Sequence, residues 1–210
     1  VIVMVSNATG IEVGLLAGKH PGRIGHLFSP AGERGPWREL PYGLDNGAWS
    51  AFKNKRAWDE AGWRRLLNWA ALSGIRPLWA VVPDVVANRA ATLELWPTFA
   101  PVVLSHGFRP AFAAQDGMTY ADVPDDDCVI FLAGSTEWKL ANIALWCEHF
   151  PGRVHVARVN TWERLALCWK SGAISVDGTG WFRKGNGGTS QFNELRKFLK
   201  ETSHEISASA

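Results

Sequence analysis

Eight short apolar runs, most of them separated by helical stretches, constrain this chain more than any other feature. They cover residues 2–6, 25–28, 42–45, 77–82, 109–114, 128–132, 153–158 and 173–177. Their apolar residues run on continuously instead of alternating with polar ones, as in strands buried on both faces. Helical patterning marks residues 57–73, 89–105, 137–150, 161–170 and 189–201. Thr161 and Ser190 suit N-cap positions, and Gly74, Gly107, Gly152 and Gly172 stand where helices should stop. Strands alternating with helices require parallel pairing through right-handed crossovers. The pattern predicts an α/β fold, a compact single-domain (β/α)8 barrel of the TIM type over residues 1–201, with 202–210 as a flexible tail. A doubly wound open sheet is the competing fold, because the second strand is weak and residues 29–40 show no helix.

At 210 residues the chain can bury one good core. A hydrophobic content of 47% with 20% charged residues excludes a disordered chain. The longest apolar runs, such as 78–82 and 129–133, fall far short of a membrane span. The first five residues lack a basic region and a cleavage site, so they read as a strand, and a cytoplasmic location is expected. Cys128, Cys147 and Cys168 are widely spaced with no C-x-x-C pair, which predicts free thiols and no zinc site. A net charge of +2 does not imply nucleic acid by itself. Twelve tryptophans are many for this length; most are expected in the core, some as stacking platforms for bases.

The polar residues carry the functional signal. Asn7, Ser29, Asp45, Asp84, Gln115, Ser135, Asn160 and Asp177 each follow an apolar run at or near its end. In a parallel barrel all those ends lie on one face, where βα-loops build the active site. Ser29 and Asn7 are explained equally well as strand ends meeting water. Asp45 lies in Gly43-Leu44-Asp45-Asn46-Gly47-Ala48-Trp49, where Asn-Gly favours a tight turn with positive φ and the small residues leave room for a ligand. Asp177 opens into Gly178-Thr179-Gly180, and a hairpin turn is the plain alternative for both aspartates. For Asp84, after Val82-Pro83, the alternative is an N-cap. Ala133-Gly134-Ser135 ends a strand in small residues and offers backbone N–H groups to a ligand. Two or three carboxylates on one rim suit acid/base work combined with attack at a sugar carbon. His20, His26, His106 and His149 are placed in loops or at helix ends, and His155 in a strand as a core histidine.

At these residues the sequence resembles the tRNA-guanine transglycosylase superfamily, and in particular the compact phage-type members that act on DNA. The resemblance runs from about Gly43 to Arg183, as short segments in the family's order. Leu44-Asp45-Asn46-Gly47-Ala48-Trp49 is similar to the family's Asp-Ser-Gly-Gly-Phe segment, and Val82-Pro83-Asp84 falls where a base-reading aspartate stands. Ala113-Ala114-Gln115-Asp116-Gly117 resembles Val-Gln-Gly-Gly, and Val176-Asp177-Gly178 the strand end that carries the nucleophile. The resemblance implies Asp177 as nucleophile and Asp45 as acid/base. It further implies base contacts from Asp84, Gln115, Ala133 and Gly134, with Asn46, Gly47, Trp49 and Arg183 beside them. It also implies exchange of guanine for a free 7-deazaguanine base, in queuosine-related chemistry, with no cofactor. The family's C-x-C-x-x-C…His pattern, which helps hold tRNA, does not occur in this sequence, and DNA is therefore the expected partner ahead of tRNA. Trp49 or Trp181 would stack on a flipped base, or merely pack. Lys53, Lys55, Arg56, Arg183 and Lys184 would meet phosphates, or merely face solvent. A hydrolytic glycosylase, and a barrel that only binds a modified base, stay open as rivals.

Overall fold

The computed structural model describes residues 1–6, 10–32, 40–124, 127–182 and 188–208, the side chains of 188–190 and 204–208 excepted. The apolar runs form β1 (Ile2–Ser6), β2 (Ile24–Phe28), β3 (Tyr42–Leu44), β4 (Ala80–Val81), β5 (Pro110–Ala114), β6 (Val129–Leu132), β7 (Val154–Val156) and β8 (Ser175–Gly178). Each pairs in parallel with the next, and β8 returns to β1 with Met4 opposite Asp177, closing the barrel. Closure removes the open-sheet alternative.

Around the barrel lie α1 (Ile11–Lys19), α2 (Ala48–Lys53), α3 (Glu60–Leu72), α4 (Arg89–Ser105), α5 (Thr136–His149), α6 (Trp162–Lys170) and α7 (Gly188–Ala208). The first two were not expected. Gly14 and Gly18 blur the pattern of α1, although Val13 and Leu16 bury its apolar face. The six residues of α2 are too few for periodicity to register. Thr161 caps α6 as expected, accepting from Arg164 N. Ser190 does not cap α7, which already begins at Gly188. The tail expected to fray from 202 continues this helix to Ala208: Thr202 is buried, its Oγ accepting from Arg23 at 2.9 Å and donating to the Phe198 carbonyl.

Alternate strand residues face opposite ways. Val3, Val5, Ile130 and Val176 pack outward under the helices, whereas Met4, Leu27, Trp79, Ala111, Val129 and Phe131 fill the barrel. Trp79 takes the largest share of that interior, and Gly43 makes room for it. A Cβ on Gly43 would lie 2.6 Å from the indole. Trp63, Trp79, Trp146 and Trp181 are fully buried, so much of the tryptophan content serves the core. Among the described residues no helix is long and apolar enough to cross a membrane.

Candidate active site

The C-terminal ends of the strands surround a cavity of about 500 Å³, a size that fits a small-molecule or single-nucleotide site. Ser29, Asp45, Asp84, Gln115, Asn160 and Asp177 all line it. The sequence positions that follow the apolar runs thus meet in one place. Asn7, Arg183 and Lys184 lie outside the described residues. Ser135 serves instead as the N-cap of α5.

One wall is built by β7 and β8. Asp177, 6% exposed, accepts at Oδ1 from His155 Nε2 at 3.1 Å and from the Arg158 backbone N–H at 3.3 Å. Both bonds fall on the same oxygen, which leaves Oδ2 for the cavity. His155 is fully buried against Phe131 (ring centroids 4.8 Å, 8° between planes) and the edge of Trp79. Burial holds its pKa below the ordinary histidine value, partly opposed by the bond to Asp177, so the ring is neutral near pH 7. A neutral ring that donates from Nε2 must accept at Nδ1, and Ser175 Oγ lies 2.7 Å away to supply that proton. The strand assignment of His155 agrees with the sequence reading; its hold on Asp177 was not anticipated.

The opposite wall comes from the ends of β3, β4 and β5. Gly47 adopts the positive φ expected of the Asn-Gly pair, +79°, and its N–H reaches Asp45 Oδ1 at 3.3 Å. No hairpin forms at Asp45 or at Asp177, since both strands are parallel to their neighbours. Burial, then the charge of Asp177, pushes the Asp45 pKa up to about 7. Asp84 is not an N-cap, a role taken by Asn88 for α4. It accepts from Asn46 Nδ2 at 2.7 Å and from Gln115 Nε2 at 2.6 Å. Burial raises its pKa to about 6 against the opposing Asn46 bond. Asn46 also donates to the Val82 carbonyl and accepts from Ala48 N, so both its side-chain donors go to the protein. Gln115 accepts the Ala87 N–H at 2.5 Å. Asn46 and Gln115 therefore orient Asp84 as well as lining the cavity.

Arg158 joins the two walls and was missed as a site residue, although it too follows an apolar run. It is one of three non-glycine residues with positive φ among those described, at +60°. That strained backbone aims its N–H at Asp177. Its guanidinium donates to the Ala133 and Gly134 carbonyls at 2.5 and 2.6 Å and stacks 4.1 Å over Trp49. Ala133 lines the cavity. The Gly134 carbonyl accepts from Arg158, which leaves the N–H expected to meet a ligand outside that bond. The residue's lack of a side chain is needed for packing, since a Cβ would lie 2.4 Å from Asp116 Oδ1. Behind this wall Lys139 is buried and donates to the Ala157 carbonyl, its pKa pushed down to about 8 by burial and then by Arg158. Its spacing with Ile143, Trp146 and Cys147 on the buried face of α5 is the signal that would have found it.

Two placements need correction. His26 lies in the middle of β2, fully buried, and not in a loop. Trp181 is a core residue and cannot stack on a base, while Trp49 is 43% exposed at the cavity. All three cysteines are buried. Among the described residues no group of three or more His, Cys, Asp or Glu is arranged to hold a metal ion.

No family model matches this sequence, and no curated protein does. A solved structure described as "Native KDPGal structure" superposes with a TM-score of 0.56 at 11% identity, covering 98% of this chain and 95% of that one. A second, described as "Structure of a cube-shaped, highly porous protein cage designed by fusing symmetric oligomeric domains", gives 0.49 at 12% identity over 100% of this chain and 77% of that one. At such identity the first likeness speaks for the fold alone.

Proposed function

We propose that this barrel is an enzyme that exchanges a purine base at an N-glycosidic bond, replacing guanine in DNA with a 7-deazaguanine. The observation that carries the reading is the pair Asp177 and Asp45. One has an oxygen fixed by His155 and Arg158, and the other, across the same cavity, has a pKa near 7. That division suits a nucleophile and a proton carrier. The resemblance to transglycosylases puts the same roles on the same residues and names DNA as substrate. The likeness to the KDPGal structure supports the barrel and is silent on the reaction.

A stacked base hides its sugar carbon, so the target nucleotide would be flipped into the cavity. Asp177 Oδ2 attacks C1′, and the C1′–N9 electrons leave with guanine, which takes the proton of Asp45. Asp84, held by Asn46 and Gln115, offers a carboxyl edge to the departing base. The incoming 7-deazaguanine gives its N9 proton to the ionised Asp45 and attacks C1′. The C1′–Asp177 bond breaks and both carboxyls return to their starting states.

The test is to incubate DNA and, in parallel, tRNA with a radiolabelled 7-deazaguanine base. Enzyme-dependent label in DNA without abasic sites is the expected result, because a closed pocket favours the incoming base over water. Abasic sites without label would make the protein a glycosylase. Label in tRNA alone would move the substrate and keep the chemistry.

A further inference from the structure

The cavity interior is acidic: Asp45, Asp84 and Asp177 face it from three strands. A phosphate backbone gains nothing there, so the strand that carries a flipped nucleotide must be held outside the mouth. On one side of the mouth the sequence puts flat rings and cations on a single short helix. Trp49, Ser50, Lys53 and Asn54, from α2 and its end, line the cavity. Trp49 and Phe52, three apart on one helix face, stack with centroids 5.9 Å apart and 30° between planes, and Phe52 is 55% exposed. With the Arg158 guanidinium 4.1 Å from the Trp49 ring, three flat groups run from the cavity to the surface.

Lys53, Lys55 and Arg56 flank these rings, all exposed, and make no ion pair among the described residues. The neighbouring acids are engaged elsewhere. Asp59 caps α3 and pairs with Arg65, and Glu60 pairs with Arg64 at 2.8 Å. Three exposed cations beside an exposed ring stack are complementary to a polyanion with unstacked bases. They fit a duplex poorly, since its bases are covered by their neighbours.

We infer that α2 and the segment after it, Phe52 to Arg56, form the docking surface for an unpaired polynucleotide strand. A base next to the flipped nucleotide stacks on Phe52, and its phosphates lie along Lys53, Lys55 and Arg56. The inference rests on the base-exchange reading only in taking a nucleic acid as partner, and it is tested by binding alone.

Equilibrium anisotropy with a fluorescent single-stranded 12-mer, with no free base present, measures Kd across a salt series. Phe52→Ala should weaken binding roughly 5- to 150-fold, the range of one aromatic–base stack. Lys53→Ala/Lys55→Ala/Arg56→Ala should flatten the plot of log K against log salt by about 2, the share of three phosphates on a single strand. The same 12-mer annealed to its complement should bind more weakly than the single strand. An RNA 12-mer that depends equally on these residues supports the surface and widens its ligand to RNA. All substitutions are on the surface, and unchanged circular dichroism and melting temperature would show that the fold is kept. Wild-type protein that fails to bind the 12-mer, or variants with unchanged affinity and salt slope, would overturn the inference. In the second case the base-exchange reading survives. Loss of binding in a protein that exchanges no base would instead sink that reading and leave this surface standing.

Discussion

The two walls of the cavity carry the same residue type in opposite settings. On the β7–β8 wall, Asp177 is fixed through one oxygen by a neutral histidine and a strained backbone amide. On the β3–β5 wall, the Asp45 carboxyl meets backbone N–H groups of its own turn, the Gly47 contact long at 3.3 Å. Burial and the facing charge keep its proton on to about pH 7. Asp84 beside it is clasped by two amides and still sits near 6, because desolvation at the cavity outweighs them. The lesson is that position on the rim made every one of these a candidate, while the partners decide which one is held for attack and which one carries a proton.

The largest effect should come from the fixed wall. Asp177→Asn keeps an oxygen to accept from His155 and Arg158 but removes the nucleophile, so exchange should fall by more than roughly 10⁴-fold with the melting temperature little changed. A folded, active variant would end the contrast between the walls. Asp45→Asn should cost roughly 10²–10⁴-fold in kcat. A loss below tenfold would make Asp45 a positioning residue.

Breaking the clasp without touching either aspartate sharpens the comparison. His155→Ala leaves the buried Asp177 Oδ1 short of a donor and should destabilise the fold by about 1–3 kcal/mol in urea titration. Its kcat should fall less than that of Asp177→Asn, and His155→Gln, which retains a donor, should recover part of both losses. Equal kcat losses for His155→Ala and Asp177→Asn would show that holding the nucleophile matters as much as having it.

A further effect concerns pH. The Asp45 pKa rises from its ordinary 3.8 to about 7 on folding, so between those values the unfolded chain releases a proton that the folded chain keeps. The stability tied to Asp45 is therefore complete below about pH 4 and is lost as pH rises through about 7. Asp45→Asn cannot ionise. Its melting temperature should gain on the wild type from about pH 4 to 7 and keep a constant lead above that. A lead that does not widen over this range would contradict a proton held on Asp45.

Parallel strands covered on both faces were legible in the sequence, because continuous apolar runs alternate with helices, but the return of β8 to β1 was needed to choose the barrel over an open sheet. The sequence also placed Asp45, Asp84, Gln115 and Asp177 on one rim, since parallel strands align their C-terminal ends. Two things escaped it for local reasons: six residues are too few to show the periodicity of α2, and the glycines of α1 broke its pattern. The partnerships were decided by tertiary structure alone. His155 reaches Asp177 across 22 residues of sequence, Gln115 reaches Asp84 across 31, and Arg158 reaches Ala133 across 25. No spacing rule encodes such contacts, because barrel closure and register set which inward side chains meet. The proton on Asp45 is of the same kind: its cause is burial and a charge on another strand, and neither exists until the barrel closes.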